Sequence, residues 1–321
     1  MSARARPIAA ALALLACAAG CGGDATREES GQAGAAPAPA ASAAPAAPAP
    51  SPEDAAALAA AVRAMHEGRY EEVDTLLGAQ LAQPSPSPDA LFIAGSAAYE
   101  RDDFALAADR LAQAVRLKPQ FLPNAVALGF AQRRLGRADD ARATFESIVA
   151  ARPDGHKAHY GLGLVALEAG DLPAARGHLE RALALQPGYL KAQVALAKLL
   201  QQEGRLEEAR AAFEAVVKRK PAHDEALYRL SQVLVELGRG EEAQSVLEQQ
   251  RKVYALKEQI GGLLASVRAG TASAASYAQL ADLLLQVGED EQAGQSVSEG
   301  LRRFPGDARL TQLRLAFDAG G

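Results

Sequence analysis

Few side chains in this sequence could do covalent or metal chemistry. Its only cysteines are Cys17 and Cys21, each preceded by small or apolar residues, in Leu14-Leu15-Ala16-Cys17 and Ala18-Ala19-Gly20-Cys21. No third cysteine exists to pair with inside a folded body. The histidines are His66, His156, His159, His178 and His223. His156 and His159 could share a helix face, but a structural zinc site needs two more ligands, and no Cys or carboxylate–histidine pattern supplies them. No glycine-rich phosphate loop follows a strand-like run, and the few serines lack a nucleophile motif. Catalysis, a metal and a cofactor are therefore not expected.

The elements around the cysteines give them an address. Arg4 and Arg6 precede an apolar run from Ile8 to Ala19, which is too short to span a bilayer. With the cysteine after it, this layout resembles a bacterial lipoprotein signal, whose cysteine is lipidated and becomes the first mature residue. The resemblance favours Cys21, followed by Gly22-Gly23-Asp24, with Cys17 as the alternative. Gly22 in place of an Asp implies, by likeness to enterobacterial sorting, outer-membrane retention facing the periplasm. Several acyl chains would anchor the protein stably. From Ala25 to Pro52 the chain is mostly Ala, Pro, Ser and Gly and cannot build a core. As extended polyproline II it would reach at most ~90 Å.

Beyond this tether the sequence repeats. Prolines fall every 34 residues, at Pro119, Pro153, Pro187 and Pro221. Small residues keep the same step at Ala61, Gly95, Gly129, Gly163, Ala197 and Ser231. Alanines do so at Ala107, Ala141, Ala175, Ala209 and Ala243, with Val73 one period earlier. Glycines follow at Gly68, Gly136, Gly170, Gly204 and Gly238, with Asp102 the exception. In one period, Ala125, Leu128 and Gly129 share a face of a first helix, and Gly136 suits its left-handed cap. Ala141, Phe145 and Ile148 recur at helical spacing in a second helix, with Ala141 the small partner to Gly129 and Phe145 filling the space between helices, and Pro153 ends the unit.

This pattern resembles the tetratricopeptide repeat. The resemblance implies an all-α, right-handed superhelical solenoid of antiparallel helix pairs, with about seven repeats and an insertion before the last. The expected organisation is a signal peptide over 1–20, a disordered tether over 21–53 and six contiguous repeats over 54–257. A helical insertion over 258–273 and a last repeat with capping helix over 274–321 follow. The in-phase position 255 holds Ala255 instead of proline, so a second helix is expected to run from Glu241 to Ile260. Gly261-Gly262 would interrupt it, with a short turn over Leu263 to Val267. Val246, Val253 and Ile260 with Gln249 and Leu256 form a short heptad seam on it.

In this family the first helices line a concave groove, at places one, four, eight, eleven and twelve residues after each unit's start. By that likeness the candidate peptide-binding residues are Phe92 and Tyr99, then Val126, Phe130, Arg133 and Arg134. Lys157, Tyr160 and Leu164, then Lys191, Val194 and Lys198, and finally Tyr228 complete the set. Aromatics and Arg are what binding surfaces over-use. All five cations of the groove places lie in the middle three repeats, so an acidic protein or peptide segment would suit it. The alternative packing reading is that the aromatics merely fill space between adjacent first helices. The formal charge is −5, and removing residues 1–20 takes away Arg4 and Arg6 and no acid, giving −7. A nucleic-acid partner is not expected for such a chain. The functional expectation is a lipid-anchored envelope scaffold that binds a protein partner and assists assembly of an envelope complex. The alternative is a self-associating structural lipoprotein that dimerises through the 241–260 helix.

Overall fold

The computed structural model describes residues 51–320; both cysteines, the signal-like segment and nearly all of the tether lie outside them. The described residues form helices and turns only, in two compact units that divide within one helix, after Val165.

Unit 1 begins with α1 (Pro52–His66), then α2 (Tyr70–Leu76) and α3 (Gly78–Leu81). Two antiparallel pairs follow, α4 (Pro88–Glu100) with α5 (Phe104–Leu117) and α6 (Leu122–Arg134) with α7 (Ala138–Ala151), and then the start of α8 (His156–Glu168). Local chemistry starts and stops each helix. The Ser51 and Ser87 side chains accept backbone N–H groups of α1 and α4, and Asp103 accepts Leu106 N at 3.2 Å. Gly68 and Gly136 turn the chain with φ of +70° and +75°. At the equivalent turn Asp102 adopts φ +62°, the one non-glycine among the described residues to do so.

The first hairpin is irregular, because its second helix breaks into α2 and α3 at Leu77. It is still fastened to the next pair. The Asp74 carboxylate receives Arg101 at 2.8 Å and Arg110 at 2.6 Å, and Arg110 also donates to Ala94 O at 3.2 Å.

The core of unit 1 depends on close approach at glycine. Phe145 of α7 is fully buried. A Cβ placed on Gly129 would lie 2.7 Å from its ring, and one on Gly161 of α8 would lie closer still. Gly95 and Leu111 repeat the arrangement one period earlier, at 2.9 Å. The glycines therefore leave the space that the ring fills, and the nearest neighbour of Gly129 is Phe145 where the sequence suggests Ala141.

Unit 2 continues from the end of α8 with α9 (Leu172–Leu185), α10 (Leu190–Gln202), α11 (Leu206–Arg219) and α12 (Asp224–Glu236). Its last part holds α13 (Gly240–Arg268), α14 (Ala274–Gln286), α15 (Asp290–Arg303) and α16 (Ala308–Gly320). Phe213 and Leu179 are fully buried at the positions corresponding to Phe145. Ser273 and Ser276 form a reciprocal capping box that restarts the pattern at α14, and Asp307 accepts Leu310 N at 2.9 Å to start α16.

The long helix departs from the sequence expectation in two respects. Gly261-Gly262 does not interrupt the long helix, which is continuous over 29 residues. Leu263, Leu264 and Val267 prolong the apolar stripe of Val253 and Ile260 and pack on the same core as Tyr277, Leu280 and Leu284 of α14. Burial of that stripe outweighs the poor helix propensity of two glycines, about 1 kcal/mol each. The heptad seam meets the same fate. Val253 and Ile260 are buried within unit 2, with Val246 and Leu256 packed beside them, so the seam is not displayed for a second chain.

A methyl at Gly161 should cost stability. Gly161→Ala gains about 1 kcal/mol of helix propensity but forces the Phe145 ring into filled space, where overpacking costs about 1–3 kcal/mol. The urea midpoint is expected to fall, and adding Phe145→Leu to the same chain should recover part of the loss. An unchanged midpoint in Gly161→Ala would show that the ring has room to move.

Candidate functional site on the first-helix faces

The groove places of unit 1 lie on α4, α6 and α8, and most of their aromatics belong to the core. Phe92 is fully buried, edge-on to Phe121 at 6.1 Å. Tyr99 is buried, edge-on to Phe104 at 5.3 Å, and burial pushes its hydroxyl pKa up against the opposing pull of Arg133 and Arg134. Phe130 is buried between Phe145 at 5.1 Å and Tyr160 at 5.8 Å. These three rings therefore fill space between helices and present little surface to a ligand, which corrects the aromatic-lined groove for this unit. Val126, Tyr160 and Leu164 are half-buried and packed against the same cluster.

Cations surround this sealed surface. The Arg134 guanidinium lies 4.1 Å from the centre of the Phe104 ring and 3.3 Å from the Asp102 carboxylate. Asp102 thus occupies a glycine position and uses its side chain to hold an arginine of the next repeat. Its signal was present in the sequence as the sole exception in the glycine column. Arg133 is half-buried beside Arg134 on α6. Lys157, at the start of α8, is also half-buried, and the loss of water around its amine pushes its pKa down. The neighbouring His156 is lowered first by burial and then by Lys157. His159 is buried, with Nε2 3.2 Å from Pro153 O.

In unit 2 the corresponding face is open. Val194 is buried and Lys191 half-buried on α10. Two polar ties join α10 to α12, Lys198 Nζ to Glu225 at 3.0 Å and Gln201 Nε2 to Glu236 at 2.8 Å. On α12, Tyr228 keeps 49% of its surface exposed and Val235 keeps 63%. They stand seven residues apart, about 10.5 Å along one helix face. Gln232 lies between them and donates to the Tyr228 hydroxyl at 3.0 Å. Val235 stands at a groove place but was not among the candidates chosen from the sequence; its place eleven residues into the unit is the one Tyr99 fills in unit 1.

Among the described residues, no group of three or more His, Cys, Asp or Glu could hold a metal ion. No described helix is long and apolar enough to cross a membrane. The arrangement can present apolar side chains and fixed charges to another polypeptide.

Comparison with known proteins agrees with this architecture. Residues 126–189 match a family model of the tetratricopeptide repeat, and residues 166–220 and 200–267 match a second one. The matches together cover residues 126–267. Among solved structures, it is similar to TTC0263, a thermophilic TPR protein of Thermus thermophilus. That pair shares 23% identity over 57% of this chain and 99% of the other, with a TM-score of 0.50. The APC/C hetero-tetramer Cut9–Hcn1 is similar at 16% identity and TM-score 0.51, over 81% of this chain and 47% of that one. A tetratricopeptide repeat protein from Parabacteroides merdae ATCC 43184 aligns over 82% of this chain and 97% of its own, at 13% identity and TM-score 0.48. The first two likenesses show the fold. No curated protein matches the chain.

The start of α12 should respond to pH. His223 Nδ1 accepts Ala226 N at 3.2 Å, which only a neutral imidazole with a lone pair on that nitrogen can do. Burial lowers its pKa, with Glu225 and Asp224 opposing and Lys220 assisting. A depressed folded-state pKa means that the stabilisation is present above the unfolded value of about 6.5 and is lost as pH falls from there through the folded value. The thermal midpoint should therefore drop on going from about pH 7 to pH 5, and by less in His223→Asn, which can still cap. Equal pH slopes in the two proteins would contradict this assignment.

Proposed function

We propose that this chain is a lipid-anchored scaffold of the bacterial cell envelope, which captures a protein partner on its first-helix faces and helps an envelope complex assemble. The observation that carries the reading is the open face of unit 2, where Tyr228 and Val235 stand exposed on a surface tied together by Lys198–Glu225 and Gln201–Glu236. Large apolar side chains presented on a pre-formed platform are suited to anchor a partner segment. The tetratricopeptide repeats support the same reading, since stacked hairpins offer extended surfaces to other polypeptides. In unit 1 the half-buried Lys157 amine, with Arg133 nearby in the repeat order, favours an acidic segment. The Cys21 motif and the Ala/Pro-rich tether would supply the anchor and the reach, at an outer membrane and facing the periplasm. The reading is non-catalytic and needs no cofactor.

Crosslinked capture of the full lipidated protein from its native envelope tests the proposal. Tyr228→Ala with Lys157→Ala should reduce partner recovery at least tenfold while circular dichroism stays at the wild-type level. Recovery equal to wild type would move the binding surface to the second helices.

A further inference from the structure

Most buried glycines of this fold have a packing reason; several helical ones have none, among them Gly177, Gly294, Gly261 and Gly262, and of these only Gly261 and Gly262 are adjacent. A Cβ on Gly300 would lie 2.8 Å from Tyr277 Cβ, and Gly129 and Gly161 make room for Phe145. Gly261 and Gly262 sit inside α13 with nothing within 4 Å of a Cβ at either position. Neither has a positive φ. Alanine would fit both places and form a stronger helix, so two adjacent glycines weaken the helix at one point without any steric return.

What flanks the weak point differs on its two sides. Before it, α13 is fastened to the turn that starts α12. Lys257 Nζ donates to Ala222 O at 3.0 Å and to Asp224 Oδ2 at 2.5 Å, and Gln249 Nε2 reaches Pro221 O at 3.4 Å. After it, Leu263, Leu264 and Val267 pack in the core that holds Tyr277, Val297 and Leu310 of α14, α15 and α16. That last part meets the α11–α12 turn at an ion pair, Lys220 to Glu289 at 2.7 Å. Both side chains of the pair are about one-third exposed, so salt reaches it. Apolar contact with Leu227, Val253 and Ile260 completes the closure.

We propose that α13 is a hinge at Gly261–Gly262, about which residues 263–320 open as one body from the part of unit 2 formed by α11, α12 and α13 up to Ile260, with Lys220–Glu289 as the latch. Opening would uncover an apolar patch centred on Leu227 and Val253, and closure would return it to the core. A bend at paired small residues absorbs the backbone change, while the packed stripes on either side remain whole.

A distance measurement on the full-length protein tests this, with spin labels at the exposed Lys218 of α11 and Gln312 of α16 and the distribution read by double electron–electron resonance. A closed population with a second, longer one is expected. Gly261→Ala with Gly262→Ala should reduce the longer population tenfold or more. Glu289→Gln, or raising the salt to about 0.5 M, should enlarge it. If the distribution is single and unchanged by the double alanine, the hinge is wrong. If Glu289→Gln leaves it unchanged, the ion pair is not the latch.

Discussion

The constraint on which this fold depends is the close approach of neighbouring helices at a residue without a side chain. The Phe145 ring occupies space that Gly129 and Gly161 leave open from two different helices. A packed interior tolerates neither a void nor an extra methyl there, so ring and glycines are coupled. Because Gly161 belongs to the following hairpin, the ring also joins one repeat to the next. The small residue that recurs every 34 residues repeats this approach, as at Gly95 and Leu111 one period earlier.

That coupling explains why so much of the fold was legible from the sequence. Turn glycines with positive φ at Gly136, Gly170, Gly204 and Gly238 fall where the column placed them, because only a residue without Cβ takes that conformation readily. The misreading at Gly261-Gly262 has an equally local cause. Glycine lowers helix propensity, but propensity is a weak prior, and the apolar stripe through Val253, Ile260, Leu264 and Val267 has tertiary partners that one-dimensional reading could not see.

The candidate site was legible as a face but not in its depth. Spacing puts Phe92, Tyr99, Phe130 and Tyr228 at comparable places, yet the first three are buried and the last is not. The difference lies one repeat earlier. Tyr160 of α8 packs on Phe130 of α6, whereas the residue that Tyr228 would meet in the same relation is Lys198, whose amine turns to Glu225. A ring opposite a ring closes the surface; a ring opposite an ion pair stays available. Unit 1 therefore joins a sealed aromatic layer to edge cations such as Lys157, and unit 2 keeps an exposed apolar pair. Asp102 adds a local exception, accepting a backbone conformation that suits glycine in return for a fixed arginine.

The most direct test of the account is site-specific photo-crosslinking in the native envelope, with a photoreactive side chain placed in turn at Tyr228, at Lys157, and at the exposed second-helix residues Glu146 and Glu180. The account predicts that a discrete partner crosslinks from Tyr228 and Lys157 and not from Glu146 or Glu180. The reverse pattern, with adducts confined to the second-helix positions, would contradict it.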